Sequence, residues 1–260
     1  QMFGMLEHFD LNTLNQVDQT HLLVEVMRRA YRDRAQYLGD SDFVEVPIEK
    51  LTSQAYTKAL AENIDLKRAT PSATLGPKLA AHSGTHTTHF SIIDQAGNRV
   101  AATLSINLPF GSGVTAPGTG VLLNNEMDDF SAKPGAPNAY GLVGSEANAI
   151  APGKRPLSSM TPTFMAYGPA SDRQIAILGT PGGSRIITMV FLGILSALEG
   201  QPAQAWVDRP RFHHQYLPDV IQHEPNAFSS EMMEKLAKKG HQLRDTERHY
   251  GDMHAIQWWL

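Results

Sequence analysis

Residues 87–107 read Thr-Thr-His-Phe-Ser-Ile-Ile-Asp-Gln-Ala-Gly-Asn-Arg-Val-Ala-Ala-Thr-Leu-Ser-Ile-Asn. The first part is short and rich in β-forming residues, the Gln-Ala-Gly-Asn segment supplies turn residues, and the last part alternates apolar with small residues. This pattern predicts a β-hairpin that starts directly after a loop. If Asp94 and Arg99 close the hairpin, Ser105 lies opposite Thr88.

The rest of the chain divides into helical stretches before this hairpin and mixed stretches after it. Apolar residues at three- and four-residue spacing predict a helix that Gly39 ends and a second helix that begins near Thr52. The other predicted elements are a linker or exposed loop (Ala69–His86), a second hairpin (Thr161–Tyr167 with Gln174–Leu178), a wholly apolar helix (Arg185–Leu198) and a surface helix (Phe228–Lys239). Helices, then strands, then helices favour an α+β sandwich centred on a sheet, with helices outside.

Composition excludes several classes of protein. The chain has 260 residues, 42% hydrophobic and 18% charged, which is ordinary for a globular protein. A net charge of −4 without a basic run argues against nucleic acid or an anionic membrane as the main partner. No stretch reaches the roughly 18 consecutive apolar residues that a membrane helix needs, and the lack of cysteine removes disulfides and a cysteine nucleophile. The chain opens at Gln1 without a basic leader, so we expect it to start inside a longer protein.

Thr87, Thr88 and His89 stand where the loop meets the first strand. Threonine favours strands, so the threonine pair alone says little about chemistry. His82, His86 and His89 resemble a metal-ligand set, but no carboxylate nearby in the sequence completes it and the spacing fits no helix face cleanly. We therefore interpret these residues as satisfied or exposed histidines.

An acidic segment, Asn124–Phe130, follows a strand-like run. Its acids could form an ordinary solvated turn. Alternatively, Glu126 and Asp129 jointly hold a cation, either a metal or the ammonium group of a ligand. Calcium loops need more oxygen ligands and a glycine at a fixed offset, which this segment lacks, so an ammonium is the better interpretation of the two.

Gly182 and Gly183 come just before the predicted apolar helix. A glycine pair at this position presents free backbone N–H groups at the positive end of the helix dipole, which suits an oxyanion or a carboxylate. An ordinary strand-to-helix turn is the alternative. The segment Gly111–Gly113 lacks the lysine and the following helix of a phosphate-binding loop, so we discount nucleotide binding.

Five segments together resemble the γ-glutamyltranspeptidase (glutathione hydrolase) family of N-terminal-nucleophile hydrolases. In chain order they are Thr87–Ser91, Leu122–Ser131, Lys154–Met160, Pro181–Arg185 and Pro210–Gln215. The resemblance implies a four-layer αββα sandwich. Residues 1–86 would correspond to the end of the large subunit and residues 87–260 to the small, catalytic subunit, the two together forming one structural domain.

The resemblance also implies a role for each motif residue. Autoproteolysis between His86 and Thr87 would free the α-amine of Thr87, which would act as base for its own Oγ nucleophile. Ser105 would support the nucleophile, and Gly182 and Gly183 would form the oxyanion hole. Asn107, Glu126 and Asp129 would bind the α-amino end of the substrate, and Ser158 and Ser159 would bind its α-carboxylate. Residues Pro134–Gly144, which include Tyr140, would form a lid loop. No cofactor and no metal are implied.

The expected activity is hydrolysis or transfer of the γ-glutamyl group of glutathione and related compounds, through a threonyl ester, to water or to amino-acid and peptide acceptors. Glu126 with Asp129 favours substrates that carry a free α-amino group over glutaryl substrates. A poly-γ-glutamate depolymerase, a β-lactam side-chain acylase of the same fold, and a non-catalytic fragment are the alternatives. The expected partners include the two subunits of one precursor and exclude nucleic acid, and the family resemblance points to a periplasmic or secreted location.

Overall fold

The computed structural model describes residues 1–76, 87–131, 133, 136, 142 and 144–259. The helices are α1 (Met2–Leu6), α2 (Gln16–Tyr37), α3 (Ile48–Thr52), α4 (Gln54–Glu62), α5 (Ile186–Leu198), α6 (Ala203–Asp208) and α7 (Ser230–Lys238). The strands are β1 (Thr88–Ile93), β2 (Arg99–Leu104), β3 (Thr163–Tyr167), β4 (Gln174–Gly179), β5 (Phe212–His213), β6 (Ile221–His223), β7 (Leu243–Asp245) and β8 (His254–Trp259). Two units result: the first combines Gln1–Ser83, Asp128–Leu157 and His213–Thr246, and the second combines Gly84–Met127, Ser158–Phe212 and Glu247–Leu260.

Helix α2 is the longest helix of the first unit. It begins at Asn15, whose side chain accepts hydrogen bonds from two N–H groups of the first turn, and it ends at Tyr37, just before the predicted stop at Gly39. The second predicted helix, expected to begin near Thr52, corresponds to α4, and the short helix α3 comes directly before it. Ser53 separates them and caps α4 by accepting the N–H of Tyr56 at 3.2 Å.

A buried polar network lies along α2. Glu25 accepts hydrogen bonds from Arg28 Nε (3.2 Å) and Arg29 Nη1 (2.5 Å). It also accepts the backbone N–H of Thr70 at 3.1 Å, while Arg28 Nη1 donates to Ser72 Oγ at 2.7 Å. The described start of the predicted linker or exposed loop is therefore held in place at Thr70 and Ser72, while Pro71, Ala73 and Thr74 are exposed.

The remaining parts of the first unit are a small sheet and a surface helix. The sheet has the order β5-β6-β7, with β6 and β7 parallel. Helix α7 begins at Ser230, two residues after the predicted start at Phe228, because Ser229 caps it: Ser229 Oγ accepts the N–H of Met232 at 3.2 Å. An ion pair on this helix joins Glu231 to Lys235 at 2.7 Å.

Strands β1 and β2 form the predicted hairpin in the second unit. Their register places Ser105 opposite Thr87 rather than opposite Thr88, so the predicted register is wrong by one residue. The reason is that Asp94 belongs to the turn. Its N–H donates to the carbonyl of Asn98 (3.1 Å), and its carboxylate accepts the N–H of the same residue (2.8 Å).

The polar face of this hairpin is the buried one. His89 is buried, and a Cβ placed on Gly179 of β4 would lie 2.2 Å from its ring carbon Cε1. The hairpin therefore packs closely against β4 at a position without a side chain. The large apolar side chains of the opposite face are exposed: Phe90, Ile92, Val100 and Leu104.

The second predicted hairpin is also present, and β8 completes a three-stranded sheet in the order β3-β4-β8. Its Ala176 and Leu178 share a buried cluster with Ile186 and Met189 of α5. Helix α5 is buried, as its apolar composition predicts. No helix in the described ranges has both the length and the apolar character needed to cross a membrane.

Candidate active site

Thr87 lies directly before β1, and its hydroxyl is held beside a second hydroxyl. Its Oγ1 is 3.3 Å from Ser105 Oγ. Ser105 Oγ in turn accepts the backbone N–H of Asn107 at 2.8 Å. These three predicted site residues therefore form one hydrogen-bonded group in the second unit, built by the pairing of the two strands.

Asn107 is buried and has a positive φ of 72°. This left-handed conformation is unfavourable for most residues, but asparagine adopts it more readily than most. Its side-chain Nδ2 donates to the backbone carbonyl of Asn125 at 3.0 Å. The position of Asn107 is thus fixed through both its main chain and its side chain.

His89 lies two residues after Thr87 but is engaged elsewhere. Its Nδ1 is 2.7 Å from Thr103 Oγ1, and its Nε2 is 3.1 Å from Ser91 Oγ. Burial lowers its pKa, and the nearby His254 lowers it further. Both ring nitrogens are used within the hairpin, which agrees with the interpretation of His89 as a satisfied histidine. His82 and His86 lie outside the described residues.

The Gly182-Gly183 pair lies between β4 and α5. Gly182 has a φ of 142° and Gly183 a φ of 59°, and both values favour glycine. Residues Gly183–Arg185 form a 3-10 turn, so α5 begins at Ile186 rather than at the predicted Arg185. A Cβ on Gly182 would lie 2.2 Å from Met189 Cε, so the end of the Met189 side chain would have to move to admit a side chain there.

The two serines predicted to bind a carboxylate lie in an extended segment of the second unit. Ser158 is exposed, and its Oγ accepts the N–H of Met160 at 3.0 Å. The backbone carbonyl of Ser159 accepts the hydroxyl of Thr161 at 2.9 Å. This local bonding gives the segment a defined shape.

Glu126 and Asp129 occupy the two ends of one 3-10 turn, Glu126–Asp129. Asn124 Oδ1 accepts the N–H of Glu126 at 3.0 Å. The division between the two units falls inside this turn, so Asp129 belongs to the first unit, where its carbonyl accepts Asn148 Nδ2 at 2.7 Å. Both acids are partly exposed. Tyr140, assigned to the lid, lies outside the described residues.

One cluster was not predicted from the sequence. His21, Glu25 and His241 in the first unit bring potential metal-ligand atoms within 4.8 Å of one another. His21 Nδ1 is 2.7 Å from His241 Nε2, however, and Glu25 binds two arginines. The arginine charges oppose a cation there, so the cluster is a buried hydrogen-bond network. The spacing of His21 and Glu25 along a helix was the available signal, but their partner is remote in sequence.

The threonine directly before the hairpin, the glycine pair before a buried helix and the three-stranded sheet of the second unit define the N-terminal-nucleophile hydrolase fold. The chain belongs to the Gamma-glutamyltranspeptidase family, because the sequence model of that family matches residues 1–259. It is 44% identical over 247 residues to the Glutathione hydrolase proenzyme of Escherichia coli (strain K12), covering 94% of this chain and 42% of that protein. A Pseudomonas aeruginosa relative of the same name is 44% identical over 265 residues, covering 99% of this chain and 46% of the relative.

Solved structures agree on the fold. A mutant Gamma-Glutamyltranspeptidase from Helicobacter pylori superposes with a TM-score of 0.61 at 45% identity, covering 65% of this chain and 90% of that chain. A cephalosporin acylase from Bacillus halodurans gives a TM-score of 0.74 at 23% identity, covering 99% of this chain and 44% of that one, which supports the fold alone. The expected α+β class and N-terminal-nucleophile hydrolase fold are confirmed. The chain spans less than half the length of these curated relatives.

Proposed function

We propose that the full-length protein is a γ-glutamyl hydrolase and transferase that becomes active by cleaving itself before Thr87. The observation that carries this proposal is the hydroxyl pair of Thr87 and Ser105 at 3.3 Å, at the point where a strand begins. A nucleophile must be held in a fixed orientation, and the bond from Asn107 N–H to Ser105 Oγ supplies that. Family membership supports the same chemistry.

In the proposed reaction, the freed α-amine of Thr87 takes the proton of its own Oγ, which attacks the γ-carbonyl carbon of the substrate. An α-amine ordinarily has a pKa of roughly 7.7–8.0, so a useful fraction is neutral near that pH. The N–H groups of Gly182 and Gly183 stabilise the oxyanion. Collapse of the intermediate breaks the amide bond, and the protonated α-amine returns its proton to the leaving amine.

The resulting threonyl ester is then attacked by water, giving glutamate, or by the amine of an amino acid or peptide, giving a new γ-glutamyl amide. In either case the Thr87 α-amine accepts a proton from the attacking group, and the Oγ is restored. Glutathione is the expected donor because the curated relatives are named for its hydrolysis. A precursor divided into two subunits is part of the same proposal.

Recognition of the substrate α-amino acid end is assigned to two groups of residues. Glu126 and Asp129 would bind the ammonium group by charge, and the Ser158 and Ser159 hydroxyls would bind the carboxylate. Asp129→Ala should weaken the binding of a γ-glutamyl anilide by about 2 kcal/mol or more if the site is desolvated. A glutaryl anilide, which lacks the ammonium, should lose much less; equal losses would show that Asp129 is structural.

The decisive experiment on self-cleavage is an intact-mass measurement of the full-length protein. The wild type should separate into two chains, the second beginning at Thr87. Thr87→Ala should remain one chain, whereas Thr87→Ser, which keeps a hydroxyl, should still be cleaved. Cleavage after His86 in the alanine variant would refute self-cleavage by Thr87.

We also propose a periplasmic or secreted location, supported by the family resemblance. Fractionation of cells that express the full-length gene tests it. Activity towards a γ-glutamyl anilide should then be found outside the cytoplasmic fraction.

A further inference from the structure

Asn125 is bonded at three points to the segment that carries Asn107. Its N–H donates to the carbonyl of Ile106 (3.2 Å), and its own carbonyl accepts Nδ2 of Asn107 (3.0 Å). Its side-chain Oδ1 accepts the N–H of Leu108 (3.0 Å). All four residues lie in the second unit, so these bonds join the end of β2 to the segment before the acidic turn.

One of these bonds fixes the orientation of the Asn107 amide. The Nδ2 end donates to the Asn125 carbonyl, so the carbonyl end of the amide points away from it. The reversed orientation would bring two oxygen acceptors together, which is unfavourable. An amide oxygen is an acceptor, which suits the ammonium group that Asn107 is expected to bind and opposes a carboxylate.

Asn125 also comes directly before Glu126, the first residue of the acidic turn. The residue that holds Asn107 from one side is thus bonded covalently to one of the acids proposed to bind the same ammonium. A change in the position of Asn125 would move both groups relative to each other. An ammonium group binds most tightly when its acceptors already occupy their positions before binding.

We propose that Asn125 is a positioning residue that fixes the spacing between Asn107 and Glu126, and thereby selects substrates with a free α-amino group. The inference rests on the proposed γ-glutamyl specificity. Asn125 itself contacts no reacting atom. Its side chain acts by holding the backbone next to Asn107 at Leu108 N–H, and thereby sets the distance from Asn107 to the acidic turn.

The test compares Asn125→Ala with the wild type in the full-length, processed protein, using γ-glutamyl anilide and glutaryl anilide. Asn125→Ala removes the acceptor for Leu108 N–H, so KM for the γ-glutamyl substrate should rise about tenfold, with kcat changed less than threefold. The kcat/KM for the glutaryl substrate should stay within twofold of the wild-type value. Asn125→Asp keeps an acceptor oxygen in the same place and should restore most of the affinity.

Asn98→Ala is the matched control, because it removes an asparagine hydrogen bond (Nδ2 to Asp94 Oδ2, 2.7 Å) at the far end of the same hairpin. It should leave both substrates unaffected. Equal loss of both substrates in Asn125→Ala would overturn the proposal, since it would show a general structural role. If the alanine variant does not fold, Asn125→Ser, whose hydroxyl is too short to reach the same position, takes its place.

Calorimetric binding of L-glutamate and of glutarate to the full-length, processed protein separates this proposal from the proposed activity, because neither ligand has an amide bond to cleave. With Asn125→Ala added, L-glutamate should bind about tenfold more weakly and glutarate should be unchanged. Unchanged L-glutamate binding would refute the role of Asn125 even where catalysis is normal. A wild-type protein that binds L-glutamate but hydrolyses neither anilide would instead refute the proposed activity alone.

Discussion

Two buried histidines of the first unit should make the folded protein sensitive to mild acid. The pKa of His214 is lowered to about 4 by burial and by Arg28, although Asp219 acts in the opposite direction. The pKa of His241 is lowered to about 3 by burial, by His21 and by Arg28. Both values lie below the ordinary histidine pKa of about 6.5 that applies to the unfolded chain.

The sign follows from proton binding. Between pH 6.5 and the folded-state values, the unfolded chain takes up protons that the folded protein excludes, so stability falls as the pH falls. Each histidine should lower the free energy of unfolding by about 2 kcal/mol between pH 7 and pH 5, and the two together by about 4 kcal/mol if they act independently. That is a large share of the roughly 5–15 kcal/mol that stabilises a typical domain. Asp219 does not offset this loss of stability. Burial raises its pKa, but His214 and Arg28 lower it by more, so that the pKa lies well below this pH range.

The assay is urea unfolding of the full-length protein at pH 7, 6 and 5, followed by circular dichroism. In His241→Gln the free energy of unfolding should fall by about 2 kcal/mol less than in the wild type across this range. His8→Gln, which changes an exposed histidine, is the control and should follow the wild type. A wild-type protein equally stable at pH 7 and pH 5, or a His241→Gln protein with the wild-type pH dependence, would refute the reasoning.

Three further substitutions test the geometry of the second unit. Gly179→Ala would place a Cβ 2.2 Å from the His89 ring, so the unfolding free energy should fall by about 1–3 kcal/mol; an unchanged melting temperature would show that the hairpin is not in close contact there. Ser105→Ala removes the acceptor of the buried Asn107 N–H and should cost about 1–3 kcal/mol in urea unfolding, whereas Ser105→Thr should cost less, and equal losses would contradict a role for the hydroxyl. Gly182→Ala should lower kcat for a γ-glutamyl anilide by roughly 10²–10³-fold in the processed protein. The reason is that the φ of 142° at Gly182 is unsuited to alanine, so the oxyanion donors would move. A variant with the wild-type kcat would exclude this loop from catalysis.

The hairpin could be predicted from its sequence, but its register and its buried face could not. Alternation shows that two faces differ, and burial of the apolar face is the usual expectation. The structure buries the polar face because Gly179, far along the chain, leaves space for the His89 ring. The one-residue error in register arose because Asp94 bonds within the turn, which depends on local geometry that alternation does not encode.

The candidate site residues were chosen from motifs and stay predictions, whereas no motif indicated the buried network of the first unit. Helical spacing located α2 correctly but could not show that Arg28 and Glu25 are buried. Arg28 pairs with Asp219, which is distant in sequence, and Glu25 accepts the N–H of Thr70 in the segment predicted to be a loop. A charged residue on a helix is ordinarily solvated, so only the three-dimensional partner reveals its burial.

The outward face of the β1-β2 hairpin has a practical consequence for handling the chain. Phe90 is 42% exposed, Ile92 49% and Leu104 52%, and they lie on one face of a two-stranded element rich in β-forming residues. A contiguous apolar strand surface of this kind is prone to self-association through edge pairing and stacking. Preparations in which this face stays uncovered should therefore aggregate more readily at higher protein concentration, and Ile92→Lys or Leu104→Lys on this face is the direct route to a soluble sample.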